Sequence, residues 1–234
     1  MQLLYAILIA ILLVCSYYLY IEAHNIKLCN KMLSRHKVSN IKLPSGSILL
    51  FSNHFAMSGQ QLFYSYANSC FTHIALVIEI EGKSFVLEIN PRDNYTWIPD
   101  SILPVHLNNT DSDITLSYLH ERLKLHNGFV FAHVVNKKPK RQPSTARIRH
   151  YMETIQYYKG HNLLSIFMKW RRHCGQSIIE NKLQQTCVDF TYYVLIDMGL
   201  LPSGAKLSCQ LPHEVSNVIA EDGERLFGPP IRLT

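Results

Sequence analysis

The sequence predicts an α+β fold in which an antiparallel sheet or barrel packs on a helix that carries a cysteine. Three stretches of the chain indicate this fold. Residues 72–90 are rich in apolar and β-branched side chains except at Glu81-Gly82, which is typical of a β-hairpin. Residues 128–135 form another apolar strand, and a capped apolar helix begins after Thr186. No internal repeat is present, so these elements belong to one α+β domain.

The chain begins with an apolar stretch, Leu3 to Ile21, that contains no charged residue and no proline. As a helix it would cover roughly 28 Å, close to the hydrocarbon thickness of a bilayer, which predicts a transmembrane anchor over residues 1–22. A cleaved signal peptide is the alternative, although no basic residue precedes the stretch and no clear cleavage site follows it. A basic stalk is predicted over residues 23–43, and its charge favours a cytosolic position for the rest of the chain.

Composition limits the classes of protein that remain. The 234 residues are 47% hydrophobic and 17% charged, which excludes a disordered protein and allows one domain over residues 44–234. The six cysteines form no Cys-x-x-Cys pair, so separate thiols are favoured over a disulfide framework or a zinc site, and we expect no cofactor and no metal. The net charge of +6 comes with no groove-reading motif, which argues against nucleic acid as a partner.

Shorter patterns predict the remaining elements. A strand at 47–51 follows turn-forming residues at 44–46. Helices are predicted at 60–67, 111–125 and 146–158, with further helical segments in 160–185. We expect the strands at 47–51, 73–80, 84–90 and 128–135 to form one antiparallel sheet or barrel.

The predicted hairpin places two polar side chains on one face of the sheet. A two-residue turn at Glu81-Gly82 sets Ala75 opposite Glu88, so that His73 lies diagonally across from Glu88 on the same face. Ala75 and Val77 on this face are small, which predicts the close approach of a helix. The opposite face is apolar and predicts a core. A three-residue turn would move Glu88 to the other face.

The cysteine helix has a start signal and a stop signal. Thr186 and Asp189 match a capping box, and Gly199 suits the left-handed position after the last turn. Cys187 would then lie in the first turn, where unpaired N–H groups and the helix dipole favour a thiolate. A small buried core residue is the alternative interpretation of this cysteine.

Four segments together resemble a known superfamily. They are Leu-Pro-x-Gly-x-Ile-Leu-Leu-Phe at 43–51, Thr-His-Ile-Ala-Leu-Val-Ile at 72–78, Leu-Glu-Ile at 87–89 and Thr-Cys-Val-Asp-Phe-x-Tyr-x-Val-Leu at 186–195. In this order they resemble the circularly permuted NlpC-type papain-like cysteine hydrolases. Val188-Asp189 departs from the bacterial members, which have Ser-Glu there, and Thr186 departs from the lecithin:retinol acyltransferase type. The poxviral and large-DNA-virus branch is therefore the nearer match.

The resemblance implies a Cys-His-Glu triad in which Cys187 is the nucleophile, His73 the general base and Glu88 the partner that orients the imidazole. The implied function is that of a thiol hydrolase, amidase, thiol protease or acyltransferase, which acts on an amide or ester. With the predicted anchor in a host or virion membrane, a lipid or lipid-modified substrate and the bilayer itself are the expected partners.

Two other classes of protein and one rival nucleophile stay open from the sequence. The chain could bind nucleic acid through its Lys/Arg loops, although it contains no basic-aromatic stripe. The chain could be an inactive, membrane-anchored structural or virion scaffold that keeps the same fold. Cys174, which follows His173, is a rival nucleophile, although Gly175 follows it instead of a capped apolar helix.

Overall fold

The computed structural model describes residues 2–31, 42–53, 71–90, 112–157, 184–205, 211–220 and 222–233. Its elements follow in chain order: α1 (Gln2–Lys31), β1 (Ile48–Asn53), β2 (His73–Ile80), β3 (Lys83–Ile89), β4 (Ile114–Tyr118), α2 (Leu119–Leu125), β5 (Gly128–Val135), α3 (Thr145–Thr154), β6 (Gln156–Tyr157), β7 (Gln184–Gln185), α4 (Cys187–Asp197), a 3₁₀ helix (Pro212–Asn217) and β8 (Phe227–Arg232).

The described residues form an α+β fold with one antiparallel sheet of six strands. The strand order is β4-β3-β2-β1-β5-β8, and every neighbouring pair is antiparallel. The four strands that the sequence predicts all lie in this sheet. The short strands β6 and β7 form a separate parallel pair.

The β2–β3 hairpin has the predicted two-residue turn and register. Glu81 has φ 51° and Gly82 has φ 75°, as a type I′ turn requires. Val77 pairs with Val86, and Leu76 pairs with Leu87. Continued by one residue beyond Leu76 and Leu87, this register sets Ala75 opposite Glu88, so the predicted face of the hairpin is the observed one.

Apolar side chains are buried on both faces of the sheet. The α4 face contains Ile74 and Leu76 and lies in one cluster with Phe190 of α4. The α2 face contains Ala75 and Val77, against which Leu119 and Leu123 of α2 pack. The helix that approaches the small residues is therefore α2, whereas the cysteine helix covers the larger apolar face.

Two of the predicted helices are wrong in type or extent, and the strands β4, β6, β7 and β8 were not predicted. The predicted helix 111–125 is strand β4 followed by the shorter helix α2, because alternating apolar residues in 114–118 pair with the edge of β3. The predicted helix 146–158 ends at Thr154. Strand β8 contains Pro229-Pro230, which a sheet tolerates at its edge. The helices predicted at 60–67 and in most of 160–185 lie outside the described residues.

The prediction of a transmembrane anchor is overturned. In the part of the chain that the structure describes, no helix is long and apolar enough to cross a membrane. The prediction of a single-pass membrane location rested on this anchor and is therefore wrong as well.

Replacing Gly128 by alanine should destabilise the sheet strongly. A Cβ atom at Gly128 would lie 1.8 Å from the Ser52 carbonyl oxygen, so β5 and β1 would have to separate. We expect a loss of about 3 kcal/mol or more in urea unfolding. Gly204→Ala is the control, because nothing lies within 4 Å of its added Cβ. Equal unfolding midpoints for the two variants would contradict the described β1–β5 pairing.

Candidate active site

The first turn of α4 has the predicted cap. The Thr186 hydroxyl accepts a hydrogen bond from the Asp189 N–H at 3.2 Å, and the Thr186 N–H donates to Asp189 Oδ2 at 3.0 Å. The first hydrogen bond of the helical ladder runs from the Phe190 N–H to the Thr186 carbonyl. The helix therefore makes no use of the N–H groups of Cys187 and Val188, which makes the first turn electropositive.

The C-terminal end of α4 is also fixed by local hydrogen bonds. Gly199 has φ 67°, its N–H donates to the Ile196 carbonyl, and the Leu200 N–H donates to the Leu195 carbonyl. This pair of bonds is the Schellman motif, and it ends the helix. Both ends of the element that carries Cys187 are thus held by local hydrogen bonds.

The structure brings Cys187, His73 and Glu88 together. His73 Nε2 lies 2.8 Å from Glu88 Oε2, and the His73 ring also shares a side-chain hydrogen bond with Cys187. Because Nε2 contacts the carboxylate, Nδ1 is the ring nitrogen left for the thiol. His73 is the first residue of β2, so its ring lies at the end of the sheet, where the first turn of α4 reaches it.

The surroundings of His73 favour its protonated form. Burial alone would lower the pKa of His73, but the hydrogen bonds to Cys187 and Glu88 outweigh it and raise the pKa to about 9. The ring is therefore an imidazolium at neutral pH. A cation between a thiol and a carboxylate is the arrangement that a thiolate–imidazolium pair requires.

Glu88 is a fully buried carboxylate with two cationic partners. Burial would raise the pKa of Glu88, but the charge of Arg122 and the contact with His73 hold it well below its usual range. Arg122 Nε donates to Glu88 Oε1 at 2.6 Å, and a terminal guanidinium nitrogen of Arg122 donates to Oε2 at 3.2 Å. Glu88 has no exposed side-chain surface, and the Arg122 side chain is 7% exposed.

Phe51 lies against three members of this site. The guanidinium carbon of Arg122 is 4.6 Å from the centre of the Phe51 ring, and the His73 ring centre is 5.6 Å from it. The edge-on contact with His126 has a ring separation of 5.0 Å. Burial lowers the pKa of His126 to about 4, with the charges of Arg122 and His73 acting in the same direction. His126 is therefore neutral at pH 7, and its Nε2–H donates to the Ser52 carbonyl at 3.0 Å.

Sequence reasoning did not identify Arg122. The sequence feature that could have identified it is an arginine on the apolar side of a short helix. Arg122 lies three residues after Leu119 and directly before Leu123, and both leucines pack on the sheet. The rival nucleophile Cys174 lies outside the described residues. Within the described ranges, no group of three His, Cys, Asp or Glu side chains is placed to hold a metal ion.

No protein-family model matches the sequence, and no curated protein matches it either.

Thr186→Ala should cost about 1 kcal/mol of unfolding free energy, because the Asp189 N–H loses its capping acceptor. Ser144→Ala is the matched control, since Ser144 caps α3 by accepting from the Arg147 N–H. Urea unfolding should show similar losses for both variants. Only Thr186→Ala should change the rate at which Cys187 is alkylated. An unchanged rate would show that the cap does not affect the reactivity of the thiol.

His126→Gln should reduce the loss of folding stability that occurs as the pH falls. The folded pKa of His126 is about 4, below the unfolded value near 6.5, so its contribution is present above pH 6.5 and is lost as the pH falls towards 4. Glutamine can keep the hydrogen bond to Ser52 but cannot take up a proton. Urea midpoints measured across this pH window should fall less in the variant, and parallel curves would contradict the assigned protonation.

Proposed function

We propose that this chain is a thiol hydrolase or acyltransferase that acts on an amide or ester carbonyl through Cys187, His73 and Glu88. The observation that carries the proposal is the His73 ring, which shares hydrogen bonds with the Cys187 thiol and the buried Glu88 carboxylate. A cysteine at a capped helix start, a base and an orienting carboxylate are the groups that nucleophilic acyl transfer needs.

The reaction follows from the position of each group. The Cys187 sulfur attacks the carbonyl carbon, and the N–H of Cys187, unused by the helix, lies where it can donate to the oxyanion. His73 then gives its proton to the departing amine or alcohol as the C–N or C–O bond breaks. A water or an acceptor amine next loses a proton to His73, attacks the thioester and releases Cys187.

The order of the elements supports the resemblance to permuted NlpC-type papain-like hydrolases. The strand with His73 and the strand with Glu88 are sequential neighbours in the sheet, and the helix with Cys187 follows them in the chain. With this fold we propose an acylated small molecule or peptide as the substrate class. The poxviral and large-DNA-virus branch remains the proposed nearest relative.

Alkylation with iodoacetamide tests the proposed nucleophile. Cys187 is 8% exposed whereas Cys15 is an exposed free thiol, so an unactivated Cys187 should react more slowly than Cys15. We expect the reverse order at pH 7 when each cysteine peptide is followed by mass spectrometry. His73→Ala should lower the Cys187 rate by about a hundredfold, and Glu88→Gln should lower it less.

A simple aryl acetate tests the covalent step. The wild-type protein should retain an acetyl group on the peptide that contains Cys187, and Cys187→Ala should retain none there. If Cys187 reacts more slowly than Cys15 and carries no acetyl group, the protein does not use this thiol, and an inactive scaffold becomes the better account.

A further inference from the structure

The chain contains a buried arginine for which the proposed triad gives no role. Arg122 lies on α2, which follows β4 directly and covers the α2 face of the sheet. It makes a two-point contact with Glu88, and its guanidinium group is stacked on Phe51. A cation with so little exposed surface does not bind a substrate, so any role in the reaction acts through Glu88.

We propose that Arg122 is a positioning residue: its buried charge keeps Glu88 ionised, so that Glu88 holds the His73 imidazolium while Cys187 acts as a thiolate. This inference rests on the proposed function. It adds Arg122 to the site as a fourth member. The role assigned to Arg122 depends on its charge and not on the packing of its side chain.

The first step is a balance of charges. With Cys187 as the proposed thiolate, Arg122, Glu88, His73 and Cys187 stand in sequence as cation, anion, cation and anion, and the sum is zero. Among the described residues, His126 also lies close to this group, and it is neutral at pH 7, so it does not alter this sum. Without Arg122 the same site would carry one excess negative charge away from water, and it would take up a proton.

The second step concerns the hydrogen bonds of His73. An ionised carboxylate can only accept, so Glu88 obliges His73 Nε2 to donate, and Nδ1 becomes the nitrogen that exchanges a proton with Cys187. A protonated Glu88 would be able to donate to Nε2 and would no longer fix the ring. Arg122 thus acts on the proton-transfer geometry through the charge state of its partner.

The third step concerns the groups around Arg122, which hold its guanidinium group in place. The Phe51 ring lies under the guanidinium group at 4.6 Å, and Leu119 and Leu123 anchor the same helix on the sheet. The two hydrogen bonds to Glu88 use the planar geometry of arginine, which a lysine cannot reproduce although it keeps the charge.

The test compares Arg122→Met, Glu88→Gln and the double variant by the rate of Cys187 alkylation at pH 7, with Cys15 as the reference thiol in each molecule. Arg122→Met should lower the ratio of the Cys187 rate to the Cys15 rate about tenfold or more. Raising the pH by about one unit should restore part of the loss, because the extra proton is then released. The double variant carries no excess charge, so it should react several-fold faster than Arg122→Met alone.

Arg147→Met is the matched control, because Arg147 makes a two-point contact with Asp197 at the opposite end of α4. Arg147→Met removes the same kind of two-point contact from a more exposed site and should leave the ratio of the Cys187 rate to the Cys15 rate unchanged. Arg122→Lys should keep most of the wild-type ratio, since it retains the charge. If Arg122→Met does not fold, Arg122→Lys and the double variant carry the comparison, with the lysine variant expected to be the faster.

The outcomes separate the two proposals. A wild-type protein in which Cys187 is no more reactive than Cys15 overturns the proposed function, and the role of Arg122 in it. A reactive wild-type Cys187 with an unchanged ratio in Arg122→Met overturns the role of Arg122 alone. A double variant that is no faster than Arg122→Met shows that Arg122 acts by packing, and it also overturns the charge role.

Discussion

The ionised carboxylate of Glu88, which has no exposed surface, is the constraint on which the described site depends. Such a charge is costly to bury unless cations and hydrogen bonds replace the lost water. Arg122 and His73 supply both, one from the helix α2 and one from the neighbouring strand. Three elements of the fold are therefore tied together by a single side chain.

The topology explains how these groups meet. The tight turn between β2 and β3 sets the diagonal between His73 and Glu88, and the pairing of β4 with β3 brings α2 over the same face of the sheet. The helix α4 lies on the opposite face, and its first turn meets His73 where β2 begins. The two faces of one sheet thus contribute different parts of the site, the thiol from one and the charge balance from the other.

Local sequence signals carried much of this arrangement. The turn residues Glu81-Gly82 determine the parity of the hairpin, and with it the shared face of His73 and Glu88. Thr186 and Asp189 determine where α4 begins, because their reciprocal hydrogen bonds need no distant partner. Both features involve residues that are close in the chain or joined by a short turn.

The features that were missed depend on contacts between distant segments. The contact of Arg122 with Glu88 spans 34 positions and requires β4 to be a strand, whereas its residues alone suggested a continuous helix. Ala75 and Val77 predicted a nearby helix but not which one, since small size does not specify a partner. The anchor was predicted from the uncharged apolar stretch Leu3 to Ile21, and the finding that no described helix is long and apolar enough to cross a membrane overturns it.

The most direct test of this account is a pH titration of the His73 ring by ¹⁵N NMR, with the signal assigned by its loss in His73→Gln. The account predicts an imidazolium at neutral pH and a midpoint near 9, because Glu88 and Cys187 stabilise the cation. A His73 ring that is neutral at pH 7, with a midpoint at the ordinary value near 6.5, would contradict it.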